Sequence, residues 1–124
     1  MPYVSHADTR RTETPNATMT TLASPSQGGA AQALWRIDMR AGAAGPAHAF
    51  DTEQIWTLLD GAATIELGGE TLTMTPGDTA VLPAGVLRRV FADPEKGCAA
   101  LATGPGGGCA VTPDGTRVVP AWVR

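Results

Sequence analysis

The sequence predicts an all-β fold, a single closed barrel or double-sheet jelly roll, and three observations carry that reading. Fifteen glycines and ten prolines punctuate the chain at short intervals. Between them lie short stretches rich in Thr, Val, Leu and Ile, residues that suit a pleated, half-buried surface. No window holds an apolar period of helical spacing long enough to compete. The 124 residues, 43% of them apolar, fit one globular domain. Short strands joined by glycine corners must hide their edges, and closing the sheet or packing two sheets together does so.

Residues 1–16 read as an N-terminal arm, because the stretch is polar and breaker-rich and cannot form a core of its own. Residues 17–124 read as the barrel. Its first strands are Thr18–Ala23 and Ala33–Met39; in the second, alternation sets Trp35, Ile37 and Met39 on one face and Arg36 and Asp38 on the other. Gln54–Asp60 follows, with positions 54, 56 and 58 on one face. Ala62–Leu67 and Glu70–Met74 flank Gly68 and Gly69, and two glycines at that corner supply the positive φ a tight hairpin turn needs. Thr79–Leu82, Leu87–Phe91, Cys98–Thr103 and Arg117–Val119 complete the set. The breaker-rich span from Gly104 to Gly115 reads as a loop, and the apolar VVPAWVR terminus as a segment packing on the barrel or on a neighbouring subunit. The expected core is Trp35, Ile37, Met39, Leu58, Ile65, Leu72, Met74 and Val81.

Charge excludes some partners. Twelve acidic against nine basic side chains give a net charge of −3, and a single lysine, Lys96, leaves no basic stripe for a phosphate backbone, so no nucleic-acid partner is expected. No apolar run is long enough to span a bilayer, so no membrane partner is expected either. The N-terminus is polar where a secretory signal needs an apolar core, which predicts a cytoplasmic protein with reduced thiols. Cys98 and Cys109 have no metal-ligand spacing and read as a small core residue and a loop thiol.

Two stretches carry a motif. The first reads Gly42, AAGPA, His48, Ala49, Phe50, DTE, Gln54, IWTLLD, Gly61; the second reads Gly77, DTAVL, Pro83, Ala84, Gly85, VL, Arg88, RVF, Ala92. In spacing they resemble the two motifs of the cupin superfamily over Gly42 to Ala92. The resemblance implies a jelly-roll barrel, also called a double-stranded β-helix, of the RmlC-like kind. The glycines and the proline serve its turns and say little about chemistry. In a metal cupin, three imidazoles and a carboxylate hold a divalent transition metal; this chain has His48, Phe50, Gln54 and Arg88 at those places. His48 is the one retained ligand position. Phenylalanine cannot coordinate, glutamine is a weak neutral donor, and a permanently charged arginine repels a cation, so no cofactor is expected. The remaining route to a metal at His48 is a one-residue slip that turns Glu53 inward, at the cost of turning Trp56 and Leu58 out. Two protein ligands would still be one short of ordinary catalytic sites.

The motif register predicts a mostly apolar cup lined by His48, Phe50, Gln54, Trp56, Leu58, Arg88 and Val90. Arg88 either snorkels outward beside Arg89 or reaches inward to pair with an anionic ligand, since its aligned partner Gln54 is neutral. His48, free of metal, suits a general acid or base, and Asp51 or Glu53 would orient it or stay in solvent. Three functions follow. The first is a metal-independent cyclase, isomerase or lyase in which His48 shuttles a proton and Arg88 holds the developing oxyanion. The second is an accessory protein that binds a small anionic or aromatic molecule without catalysis, and the third is a metal enzyme with an unconventional ligand set. A homodimer is expected from the outer sheet, which needs cover, and from the apolar Trp122 and Val123; the resemblance implies the same.

Overall fold

The structure, a computed structural model, describes residues 2–124. Twelve strands run in the order β1 (Arg10–Glu13), β2 (Thr18–Ala23), β3 (Gln32–Met39), β4 (Ala49–Phe50), β5 (Gln54–Gly61), β6 (Ala63–Leu67), β7 (Glu70–Met74), β8 (Thr79–Leu82), β9 (Arg88–Ala92), β10 (Cys98–Pro105), β11 (Ala110–Val111) and β12 (Arg117–Val118). Single 3-10 turns at His6–Asp8 and Ala121–Val123 are the only helical elements described. No helix among the described residues is long and apolar enough to cross a membrane.

One sheet has six strands in the order β1-β2-β3-β10-β5-β8, and two smaller sheets run β7-β6-β9 and β12-β11-β4, all antiparallel. The six-stranded and β7-β6-β9 sheets enclose one apolar cluster, as expected of a jelly roll. β3 shows why. Its inward residues Trp35, Ile37 and Met39 are buried, while Arg36 and Asp38 lie outside and pair at 3.0 Å. The neighbouring β10 offers small residues at the facing positions: Ala100 sits between Ile37 and Leu58, and Ala102 between Trp35 and Trp56. Large side chains on either flank of an alanine strand make the inner wall concave.

Turns follow the glycines. Gly68 and Gly69 take φ of 55° and 90°, which closes the β6–β7 hairpin as predicted. Gly61, at φ 74°, lies against the Gly97 backbone, where a Cβ would collide with the Gly97 carbonyl.

The strands agree with expectation to within two residues at their ends, and three departures matter. Within the stretch read as an N-terminal arm, Arg10–Glu13 forms β1, which pairs with β2 along its whole length. Arg10 explains part of the docking, since its guanidinium donates to the Ala121 carbonyl at 2.6 Å and the Ser26 hydroxyl at 3.0 Å, and so fastens the two termini together. The span from Gly104 to Gly115 is not all loop, because β10 continues to Pro105 and β11 pairs with β4 and β12. Val81 is not core. It is 52% exposed, because Ala80 and Leu82 face inward on β8 and Val81 meets Ile55 on the outer face. In an all-apolar TAVL, alternation cannot say which parity is inside. Leu72 is half-buried at the rim of the cluster, and the other six expected core residues are buried.

The C-terminal segment packs on its own barrel, with Val123 fully buried and Trp122 against the cluster. These residues therefore give no support to a dimer. Cys98 and Cys109 are free thiols; burial pushes Cys98 up to about 11.

Candidate functional site

Between the sheets lies a cavity of about 520 Å³, within the ~300–1,000 Å³ of small-molecule sites. Its floor is Trp35, Ile37 and Met39 of β3 with Gln54 and Trp56 of β5, and its opposite wall is Arg88 and Val90 of β9. Phe50 of β4 and His48 close one side. The mouth is built from segments remote in sequence: Thr14 to Ala17, Val118, Pro120 and Trp122.

His48 and Arg88 are fixed to each other by backbone. The His48 N–H donates to the Arg88 carbonyl at 3.0 Å and the Arg88 N–H to the His48 carbonyl at 2.8 Å, an isolated antiparallel bridge that puts both side chains on one face. His48 Nδ1 lies 2.8 Å from the Pro46 carbonyl oxygen. A carbonyl only accepts, so Nδ1 carries the hydrogen and the neutral ring keeps its lone pair on Nε2. Burial pushes the His48 pKa below its ordinary value, and the Arg88 charge adds to that against the opposing pull of the Pro46 bond. The imidazole is thus held neutral, with one nitrogen anchored and the other available.

Arg88 points inward and is 2% exposed. One Nη2 hydrogen goes to Gln54 Oε1 at 2.6 Å, and the Phe50 ring centroid lies 4.7 Å from the guanidinium carbon. Nε and Nη1 have no partner. Burial lowers its pKa to about 10, which leaves it charged at neutral pH. The two ion pairs among the described residues are Arg36–Asp38 and Arg117–Asp51, so no carboxylate among those residues is paired with this cation. Arg89, by contrast, turns outward, donating to the Gly45 carbonyl and lying over Phe91.

Of the seven residues expected to line the cup, His48, Phe50, Gln54, Trp56, Arg88 and Val90 reach the cavity and Leu58 does not. Glu53, the residue a slipped register would turn inward, does not reach it either. Glu53 is exposed and outside it, because β5 starts at Gln54 in the unslipped register, Gln54 opposite Leu82. Leu58 is buried deeper, two positions beyond Trp56 and opposite Ala100, where the barrel is filled. Asp51 does not orient His48 either. It accepts the Cys109 N–H at 2.8 Å and pairs with Arg117 at 3.1 Å, which pins the β4-β11-β12 sheet.

Sequence reasoning missed the contribution of Trp35, Ile37 and Met39, whose alternation reads as core whether the space opposite is filled or open. It also missed Trp122 as a wall of the site, although the apolar terminus was a usable signal.

A cupin metal does not fit this donor set. One imidazole stands at the four motif positions, beside a buried guanidinium, and no group of three or more His, Cys, Asp or Glu side chains among the described residues is placed to hold a metal ion.

A family model described as "Cupin domain" matches residues 35–104. No curated protein matches the chain in sequence. Among solved structures, an RmlC-like cupin from Shewanella frigidimarina superposes with a TM-score of 0.70 at 18% identity, covering 84% of this chain and 90% of that one. The polyketide cyclase RemF from Streptomyces resistomycificus gives 0.71 at 22% identity, with 85% and 79% covered. Oxalate decarboxylase of Bacillus subtilis gives 0.72 at 16% identity, with 82% of this chain covering 28% of that larger one. At these identities the likeness is one of fold.

Proposed function

The chain belongs to the cupin domain family, and on that premise we propose that its cavity binds a small anionic or enolisable molecule and processes it without metal. The observation that carries this reading is Arg88: a buried, charged guanidinium with two unpartnered nitrogens on the wall of an apolar cavity. A buried unpaired charge is costly, and an incoming carboxylate, phenolate or enolate offsets that cost.

The chemistry is proton transfer beside a stabilised oxyanion, the pattern of a cyclase, isomerase or lyase. His48 Nε2 takes a proton from carbon next to a carbonyl, and the C–H electron pair moves onto the carbonyl oxygen, where Arg88 faces the new negative charge. The imidazolium then returns its proton to a different carbon. In a cyclisation it goes instead to the alkoxide formed when the enolate carbon attacks a second carbonyl of the same molecule. Aromatic walls at Trp35, Trp56 and Trp122 favour a folded substrate. A polyketide cyclase among the structural neighbours is consistent with this chemistry.

The accessory-protein reading keeps the same ligand and drops the proton transfer. The test is a thermal-shift and fluorescence screen with aromatic carboxylates, polyketide-like phenols and sugar phosphates, followed by turnover of any binder. Binding that weakens about 10-fold or more in Arg88→Ala supports the anion site. Binding without turnover supports the accessory reading, and binders indifferent to Arg88 contradict both.

We also propose a homodimer. Ile55, Leu59 and Val81 are 37%, 43% and 52% exposed on the outer face of β5 and β8, an apolar surface that a second copy would cover.

A further inference from the structure

The cavity is long and narrow. Through Ala102, Trp56 of β5 stands level with Trp35 of β3. Gln54, with Arg88 bonded to it, lies two residues before that level, and Met39 lies four residues beyond it. One cavity touches all of them, so its ends are six residues apart along the strands, roughly 20 Å between backbones. A round cavity of about 520 Å³ would be only about half as wide as that span.

The two ends differ. At one stand Arg88, Gln54 and His48. At the other Ala17 lies beside Met39, one residue before the Thr18–Asp38 pair of β2 and β3, and packs against the apolar cluster. The β1–β2 turn holds Ala17 in place: the Thr14 N–H donates to the Ala17 carbonyl at 2.9 Å, Thr14 Oγ1 accepts the Asn16 and Ala17 N–H groups, and the Arg40 guanidinium donates to the Pro15 carbonyl at 2.9 Å. A methyl group there leaves room that a larger side chain would take. Between the ends, Trp35, Ile37, Trp56 and Val90 make a wall that is almost entirely apolar.

We infer that the cavity selects its ligand by length, taking a linear fused-ring molecule with an apolar body, its acidic or enolic head at Arg88 and His48 and its far ring against Ala17, which sets how long the molecule can be. The inference rests on the anion reading of Arg88 for the end that carries the charge and adds to it the shape and chemistry of the rest. Tryptophan and Phe50 walls favour rings over an alkyl chain, because aromatic pairs gain beyond their buried area. A substrate chain folded into rings set in a line suits both those walls and this length. A sugar phosphate fits poorly, since its hydroxyls lose water along a wall that offers them few partners.

The test compares two isomers of equal charge and apolar area, anthracene-2-carboxylate and anthracene-9-carboxylate, by isothermal titration. The first carries its rings in line with the carboxylate and the second carries them across it. The expected result is about 10-fold or more tighter binding of the 2-isomer, with 2-naphthoate roughly 5- to 10-fold weaker than the 2-isomer for its missing ring. Ala17→Phe should abolish the gain from the third ring while 2-naphthoate binds as it does to the wild type. The isomer comparison uses wild-type protein and stands even if that variant folds poorly. Equal affinity for the isomers, or a folded Ala17→Phe protein that binds the 2-isomer undiminished, overturns the length inference. Isomers bound equally but weakened about 10-fold in Arg88→Ala overturn it and leave the anion site standing. Anthracene-2-carboxamide has the shape without the charge; if it binds as tightly as the carboxylate while the isomer preference holds, the anion reading falls and the length inference stands. Failure of every probe to bind overturns both.

Discussion

The two ends of the barrel are built on opposite terms. At the filled end Leu58, Ile65 and Met74 are at most 4% exposed, with Ala63 and Ala92 beside them and no polar side chain among them. At the open end the same sheets carry Trp35, Trp56, Gln54 and Arg88, also buried, around space and with four donor nitrogens unpaired. The filled end contributes stability by burying aliphatic surface, while the open end gives some up to keep a charge and a cavity ready for a ligand.

Substitutions should separate the two ends. Ile65→Ala, in the filled end, should lose about 2–5 kcal/mol in chemical denaturation with probe affinity unchanged. At Leu72, half-buried at the rim, alanine should cost visibly less. A loss at Leu72 equal to that at Ile65 would mean the filled end extends further than the structure shows.

His48→Gln reverses the pattern. It should leave stability and binding near wild type and lower turnover of any substrate by roughly 100-fold. Unchanged turnover removes the proton shuttle and favours the accessory reading.

Titration sharpens the comparison further. The folded His48 pKa lies below its unfolded value of ~6.5, so as pH falls beneath that point the unfolded chain takes up a proton that the folded one resists. The stability His48 confers is present above pH ~6.5 and drains away as pH drops toward the folded value; His48→Gln should flatten that part of the slope. By NMR the imidazole should titrate below 6.5 in the free protein, and bound anthracene-2-carboxylate should move it upward by countering the Arg88 charge. A midpoint indifferent to the anion would separate His48 from Arg88 electrostatically.

The smallest expected effect concerns assembly. Val81→Lys should shift a dimer toward monomer in light scattering at tens of micromolar, and a wild-type monomer there would end the dimer proposal.

The strand framework was more legible in the sequence than the chemistry of the open end. Alternation in LWRIDM and the paired glycines at 68 and 69 carry local physics that tertiary structure did not override. Val81 shows the limit, since parity in an apolar run depends on which face the partner sheet covers. The open end was legible only where motif spacing fixed the register, as at His48, Gln54 and Arg88. Its mouth, from Thr14 to Ala17 and from Val118 to Trp122, joins chain ends that no local pattern relates, held by Arg10 on the Ala121 carbonyl. The Pro46 carbonyl that fixes the His48 tautomer is likewise a matter of backbone placement.

The central claim is that Arg88 is kept for a ligand and not for the fold, and Arg88→Leu tests it most directly. Denaturation and anthracene-2-carboxylate titration on that one variant should show stability equal to or above wild type, because an unpaired buried charge is gone, together with affinity weakened about 10-fold or more. A variant several kcal/mol less stable than wild type that binds the probe undiminished would contradict it.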